Sequence, residues 1–521
     1  MNRTVLQSPG IGFSSEKLFI FFLVLGSLFI RLINLDSPLL TGNPFRETMT
    51  AITVWSFIKE GISVFGYQTP VFGPPWTIPM EFPIYQLTAA LIVKLGIENI
   101  DLAGRIATIL YFYLSVYFLF LICSKFINKT AATCILLVYV WSPFTILWSR
   151  NFLVDYSSVA FCLAYFYFFI RWMYDSQRNF FFLLTIIFGV LGYLAKVTTL
   201  PVVLVPMGYL ALKRLWEILK NENYNVGHCI KSHFSFLACL LGIFLIPIFP
   251  FYCWLLYADA VKGASEFTTF LTSAGLSEWN FGTWMQKTRM GNWVLILKRI
   301  VSSIVTYPGL VFLVFGPVLY FGSSKKGGEL IAVFGVGAFL TIFTFFNLYL
   351  VHDYYLIAVS PFISILTGFS CYLILAKLLD DDFQLKKWAY VSILIISVSL
   401  YSSGDYLKWM LKVRYDDSHP SLGLAKTIRE HTTENDYVIV ADVFNWDPQY
   451  LYYAKRKGFM LWYFEGDNSN RFFKKHNFTT IVHVNPHEKL FSNWKYHKIL
   501  AVKDKFKVVR VSDNPIPNAG L

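Results

Sequence analysis

The tightest constraint in this 521-residue chain is the recurrence of long apolar runs. They lie at 18–35, 103–124, 130–148, 156–173, 179–194, 199–213, 234–257, 300–322, 329–350, 355–378 and 387–403. Each is close to the roughly 17–25 residues that a helix needs to cross a bilayer. In hydrocarbon every backbone group must be bonded within its own segment, so such runs can fold only as helices packed in lipid. Composition agrees: 55% of residues are hydrophobic, 19% aromatic and 15% charged, where soluble chains carry about 25% charged residues. A water-soluble protein, a secreted disulfide scaffold and a disordered chain are all excluded.

Charge is unevenly placed. Residues 404–521 hold 31 of the 77 charged side chains, which predicts two domains: a membrane body at 1–403 and a polar domain at 404–521 large enough for its own core. The net charge of +13 does not point to nucleic acid, because most basic residues punctuate the apolar runs, as the positive-inside rule requires. All seven cysteines precede residue 404 and none has metal-ligand spacing. The first run is followed by Arg31, Asp36 and Pro38 rather than a small-residue cleavage site, so a retained anchor is expected.

The segment 82–97 is apolar but short and contains Lys94. If it does not span, the basic clusters at Arg3 and Lys17, Lys125 and Lys129, Arg171 and Arg178, 213–231, Lys325 and Lys326, and 377–387 all share one side. That parity predicts about 11 spans, an outer-leaflet helix at 82–97, and a C-terminal domain on the outer face. The same face then receives the first outer loop (36–102), together with 149–155, 195–198, 258–299 and 351–355. In the C-terminal domain Tyr437–Asp442 and Thr479–Val484 read as buried strands, Pro448–Lys457 as a helix and Lys505–Val511 as an edge strand. These define a small α/β domain, and no Gly-rich phosphate loop follows its strands.

The first outer loop is the informative stretch. Asn43-Pro44 forms a cap followed by proline in the first helical turn, which starts a helix running to Lys59 with Glu47 near its positive end. A Pro- and Gly-rich path then leads to Glu81. Asp155 opens a span five residues after Arg150, either as half of an Arg150–Asp155 pair or as a functional acid. Lys196 and His352 sit in short outer turns, where charge statistics do not place cations. Trp279, Trp284 and Trp293 read either as an interfacial belt or as a sugar platform. Carboxylates able to act as a base, beside cations able to hold a departing phosphate, suit sugar transfer from a lipid phosphate at the membrane surface.

Several motifs carry a resemblance. They are Asn43-Pro44-Phe45-Arg46-Glu47-Thr48, Glu81-Phe82-Pro83-Ile84-Tyr85, Arg150…Asp155, Leu194-Ala195-Lys196, His352-Asp353-Tyr354-Tyr355-Leu356 and Tyr452-Tyr453-Ala454-Lys455-Arg456-Lys457-Gly458. The chain resembles the GT-C fold glycosyltransferases of family 39, which include protein O-mannosyltransferases and lipid A aminoarabinose transferases. The resemblance implies a GT-C-like polytopic α-helical membrane protein of the inner (plasma) membrane. Its active site and C-terminal domain would face the periplasm or outside. Such an enzyme transfers a monosaccharide from a polyprenyl-phosphate-linked donor to a glycan, lipid or protein acceptor, with inversion. Where the family carries an acidic pair, this sequence reads Arg46-Glu47, and Glu81-Phe82-Pro83 lacks the family's lysine. The carried-over roles are therefore Glu47 to activate the acceptor hydroxyl, with Asp155 and Glu81 assisting or binding sugar. Lys196, His352, Arg150 or Arg46 would hold the phosphate, and Tyr355 would contact substrate. No metal ligands are assigned, although the carboxylates are equally able to chelate a divalent cation.

Two other readings use the same residues. A transporter or lipid flippase predicts inverted repeats and helices broken at the bilayer midplane, and neither is legible. A polysaccharide polymerase or ligase would take a diphosphate-linked donor and release a diphosphate lipid instead of a monophosphate.

Overall fold

Asn43 shows how local chemistry sets the frame. Its side chain accepts a hydrogen bond from the Arg46 amide at 3.1 Å, and Pro44 occupies the first turn of the helix Pro44–Glu60. The computed structural model describes residues 15–175, 177–321, 328–378, 385–410, 412, 415, 419–462, 467–484, 494–503 and 506–516. Of the basic residues used for parity above, Arg3, Lys325 and Lys326 lie outside the described residues, as does Lys505.

Every predicted apolar run falls on helix. The helices begin with α1 (Ser15–Leu32), α2 (Pro44–Glu60), α3 (Ile84–Lys94) and α4 (Ile100–Phe126). They continue through α5 (Lys129–Trp141), α6 (Pro143–Trp148), α7 (Asp155–Tyr174), α8 (Arg178–Lys196) and α9 (Pro201–Asn221). Later runs are taken up by Phe234–Leu245 with Ile248–Gly263, Ile300–Val305 with Tyr307–Phe321, Gly328–Thr344 with Phe346–Val351, Ser360–Leu378 and Leu385–Met410. The runs are less regular than eleven straight spans. Among the described residues three helical stretches, Ile100–Phe126, Arg178–Thr199 and Phe234–Gly263, are long and apolar enough to cross a membrane unaided. A fourth is Met290–Val305 with Tyr307–Phe315, bent by 100°. The bend falls at Thr306, whose φ of 67° no helix accommodates. Pro143 breaks the α5–α6 run in the same way, because proline cannot donate to the preceding turn.

The segment 82–97 forms the 11-residue α3, which packs on α4 and α2. Between α2 and α3 the chain folds back on itself, with the Thr69 amide donating to the Trp76 carbonyl at 2.9 Å.

Residues 437–512 form a five-stranded sheet: β1 (Tyr437–Ala441), β2 (Gly458–Leu461), β3 (Phe478–His483), β4 (Tyr496–Lys503) and β5 (Phe506–Ser512). The order is β2-β1-β3-β5-β4, parallel through β1, β2 and β3 and antiparallel beyond. The predicted edge strand is therefore interior. β5 sits between β3 and β4, and β4, whose residues alternate in exposure, forms the edge. A strand's place in a sheet depends on its hairpin partner, which alternation does not reveal. The other edge, β2, is covered by the first loop. Gly458 donates to the Pro70 carbonyl at 3.2 Å, Met460 to Val71 at 2.8 Å, and Gly73 to Gly458 at 3.1 Å. The loop thus bridges β2 in the antiparallel sense and covers that edge.

Candidate functional site

The helix ends supply the site. Asp155 opens α7 and Lys196 closes α8, and their side chains form a 2.6 Å ion pair with both partners buried. Helix polarity favours this placement, with the acid at a positive end and the amine at a negative one. The Lys196 ammonium also lies over the rings of Tyr355, at 4.6 Å, and Tyr354, at 5.6 Å. Asp155 Oδ2 is buried and, among the described residues, has no hydrogen-bond partner. One carboxylate oxygen is thus fixed by the amine while the other is uncommitted.

Of the two readings of Asp155, the Arg150–Asp155 pair does not form. Lys196 takes the carboxylate, and Arg150, almost fully buried, donates to the Asn34 carbonyl at 3.1 Å. Burial pulls the Arg150 guanidinium down to about 10. It ties the turn before α7 to the end of α1. Arg31 does the same from below, donating to Ser149 at 2.6 Å and to the Val140 carbonyl at 2.8 Å.

Arg46 and Glu81 form a second ion pair, each roughly one-sixth exposed. Around it, Tyr67 donates to the Glu81 carbonyl at 2.9 Å and Trp254 donates to Met80 at 3.1 Å. The Phe82 amide donates to the Leu194 carbonyl at 3.2 Å, which brings the Glu81 segment to the end of α8, two residues from Lys196. The two pairs therefore border one region.

Glu47 is placed differently. Its carboxylate has no solvent exposure, and it accepts from the Asn43 amide and the Phe152 amide, each at 3.0 Å. Burial pushes its carboxyl up from the usual range, against the opposing pull of Arg105 and the two amides. Gly42 is pressed against it: a Cβ there would come within 2.6 Å of Glu47 Oε1. Glu47 thus staples α2 to the turn that launches Asp155.

His352 stacks on Tyr354, with ring centroids 5.4 Å apart, and lies 6.1 Å from Trp279. Burial, helped by Arg299, pulls its imidazole below the usual range despite Asp353, so the ring favours the neutral form. Arg299 donates to the Tyr349 and Leu350 carbonyls, both at 3.0 Å, and holds the turn in place. Trp293 stacks on Phe339, while Trp279 and Trp284 remain exposed. Tyr354, which received no role from the sequence beside Tyr355, is buried and shares the cation face with it. Among the described residues no three His, Cys, Asp or Glu side chains stand close enough to hold a metal ion.

Residues 79–254 match the family model described as dolichyl-phosphate-mannose-protein mannosyltransferase. The fold is similar to the crystal structure of ArnT from Cupriavidus metallidurans bound to undecaprenyl phosphate, with a TM-score of 0.63 at 13% identity. That match covers 95% of this chain and 98% of that one. It is also similar to the Archaeoglobus fulgidus oligosaccharyltransferase in its apo form, with a TM-score of 0.55 at 11% identity, over 89% of this chain and 69% of that one. The archaeal oligosaccharyltransferase AglB from the same organism, solved with an inhibitory peptide and a dolichol-phosphate, matches with a TM-score of 0.51 at 11% identity, over 90% of this chain and 69% of that one. No curated protein sequence matches the chain. The protein has the GT-C fold, with a small sheet domain after the helical body. It is similar to the protein mannosyltransferases in its matched segment and to ArnT in its fold.

Proposed function

We propose that the protein is an integral-membrane glycosyltransferase that moves a monosaccharide from a polyprenyl-phosphate-linked donor to an acceptor, with inversion. The observation that carries this reading is the buried Asp155–Lys196 pair on an aromatic floor beside the Arg46–Glu81 pair. The fold it occurs in is shared with a structure holding undecaprenyl phosphate. The site would lie on the outer face of the inner membrane, beside the domain at 404–521.

In this mechanism Lys196 receives the donor phosphate, and Tyr355 and Tyr354 form the surface against which the lipid-linked sugar lies. Arg46 adds a second positive charge, and His352 contributes as a neutral hydrogen-bonding ring. Glu81, the more open acid, takes the proton of the acceptor hydroxyl. The acceptor oxygen then bonds to the anomeric carbon as the bond from that carbon to the phosphate oxygen breaks. The electron pair leaves with the polyprenyl monophosphate, whose charge Lys196 neutralises. Asp155 positions Lys196 and offers its uncommitted oxygen to the sugar or to a divalent cation. Glu47 and Arg150 are assigned to positioning: the Glu47 carboxylate is spent on the backbone that carries Arg46 and Asp155, and Arg150 ties the turn before Asp155 to the Asn34 carbonyl.

Mass spectrometry of lipid extracts tests the reading. One polyprenyl-monophosphate sugar should accumulate in membranes lacking the protein and in those carrying Lys196→Met. An unchanged lipid profile would overturn it. A diphosphate-linked donor would replace it with the polymerase or ligase reading, and gradient-dependent solute uptake with the transporter reading.

A further inference from the structure

A cavity of about 330 Å³ opens between the start of α4 and the C-terminal sheet domain. It shares no residue with the two ion pairs above. Its volume lies in the roughly 300–1,000 Å³ range of small-molecule sites.

One wall is built around Asp101 in the first turn of α4. Its carboxylate accepts hydrogen bonds from the hydroxyls of Tyr452 and Tyr415 and, at 3.1 Å, of Tyr453. Three phenols thus satisfy this acid and hold their rings at fixed angles around it. Tyr453 is gripped from its other side as well, since its oxygen accepts from the Leu39 amide at 2.5 Å. The wall is rigid, aromatic and already satisfied in its hydrogen bonding.

The opposite contribution is cationic. Lys455 adopts φ 54°, a left-handed conformation that ends the helix Gln449–Ala454 and turns the side chain back across Tyr452. Its ammonium sits 3.7 Å from the centre of that ring. Among the described residues no carboxylate or hydrogen-bond acceptor reaches the Lys455 ammonium. Burial, opposed by Asp101 and reinforced by Arg429, pulls the Lys455 amine down to about 8. Arg429 lies on the same rim, with one nitrogen on the Tyr453 carbonyl at 3.0 Å. The half-buried ammonium carries no carboxylate among the described residues, so an incoming anion meets a positive charge that is not already compensated. Glu98 lines the same cavity without pairing with it. The ammonium stays over the tyrosine face.

We propose that this cavity binds an anionic saccharide, with its phosphate or carboxylate on Lys455 and Arg429 and its ring against the tyrosine wall. The proposal stands apart from the transferase reading and requires only the cavity and its lining. Both parts of the ligand are needed. The cation pair selects charge, and the flat aromatic faces with hydroxyl edges select a ring carrying both apolar and polar surface.

Calorimetric titration of the full-length protein in detergent tests it. Probes are glucose 6-phosphate, glucuronate, glucose and inorganic phosphate. Saturable binding of an anionic sugar is expected, at least tenfold tighter than glucose or phosphate alone, and weakened at least tenfold by Lys455→Gln. Binding of glucose 6-phosphate but not glucuronate, or the reverse, shows which anion is taken. Unaltered binding in Lys455→Gln would overturn the proposal, as would no saturable binding of either anionic sugar. Inorganic phosphate binding as tightly as the sugar phosphate would overturn the saccharide part. Arg429→Gln provides an independent variant should Lys455→Gln fail to fold, and must also weaken binding at least tenfold.

Discussion

The Glu47 carboxylate accepts a hydrogen bond from the Phe152 amide at 3.0 Å and so joins the first turn of α2 to the turn that ends at Asp155. Its other oxygen takes the Asn43 amide, also at 3.0 Å. An acid in this position is an anchor for two backbones. Replacing it by glutamine keeps its size but substitutes a donor for one acceptor, leaving a buried amide facing an N–H. The expected cost of Glu47→Gln is about 1–3 kcal/mol of stability. Transfer activity should fall in step with the folded fraction and recover on cooling. A scan of thermal unfolding alongside turnover checks this: full stability with abolished turnover would return Glu47 to the chemistry.

Glu81 gives the opposite profile. Its pair with Arg46 is partly open to solvent, and such pairs contribute at most about 1 kcal/mol. Glu81→Gln should leave the melting temperature nearly unchanged and reduce turnover by about 10²–10⁴-fold, the usual worth of a general base. Turnover within about threefold of the parent would remove Glu81 from the base role.

These two acids show what the sequence made legible. Asn43-Pro44 announced the helix and placed Glu47 in its first turn, because capping is local chemistry. The apolar runs announced the helices, and Tyr437–Asp442 and Thr479–Val484 announced two strands, which the fold pairs in parallel. What periodicity could not supply was partnership. Asp155 and Lys196 stand 41 residues apart, and Arg150 was the nearer candidate for the carboxylate. The addition of Pro70–Gly73 to β2 is equally non-local. Nothing local marks Asp101, and only the fold brings Tyr452 and Tyr453 to it from 351 and 352 residues away. Burial separated Glu47 from Glu81, and burial follows from packing rather than from sequence position.

Asp447 provides a pH test within the sheet domain. Burial pushes its carboxyl up to about 6, while the Gln449 amide, donating at 3.1 Å, pulls the other way. The folded chain therefore holds a proton that the unfolded chain, with a carboxyl near 3.9, has already released. Stability should fall as pH rises from about 4 through 6 and level off above. Asp447→Asn should flatten this slope and stabilise the protein at pH 7 by on the order of 2 kcal/mol. Melting temperatures of both forms between pH 4 and 8 measure the effect, and parallel curves would contradict it.

The Asp155–Lys196 pair separates stability from chemistry most cleanly. Both side chains are buried, so removing either one leaves a charge without its partner. Lys196→Met and Asp155→Asn should each cost about 3–5 kcal/mol, whereas a well-packed double variant can recover much of that loss. Activity should not follow. Neither single variant nor the double variant retains the ammonium together with its orienting acid, so the departing phosphate is left without its fixed counter-charge. Removing such preorganised stabilisation costs about 10²–10³-fold in rate. A double-mutant cycle, measured once by thermal unfolding and once by transfer, therefore has two predicted shapes. Coupling in stability should be favourable to the double variant, while its activity remains as low as that of Lys196→Met. Recovery of activity together with stability would make the pair purely structural, and the phosphate would then have to be held by Arg46.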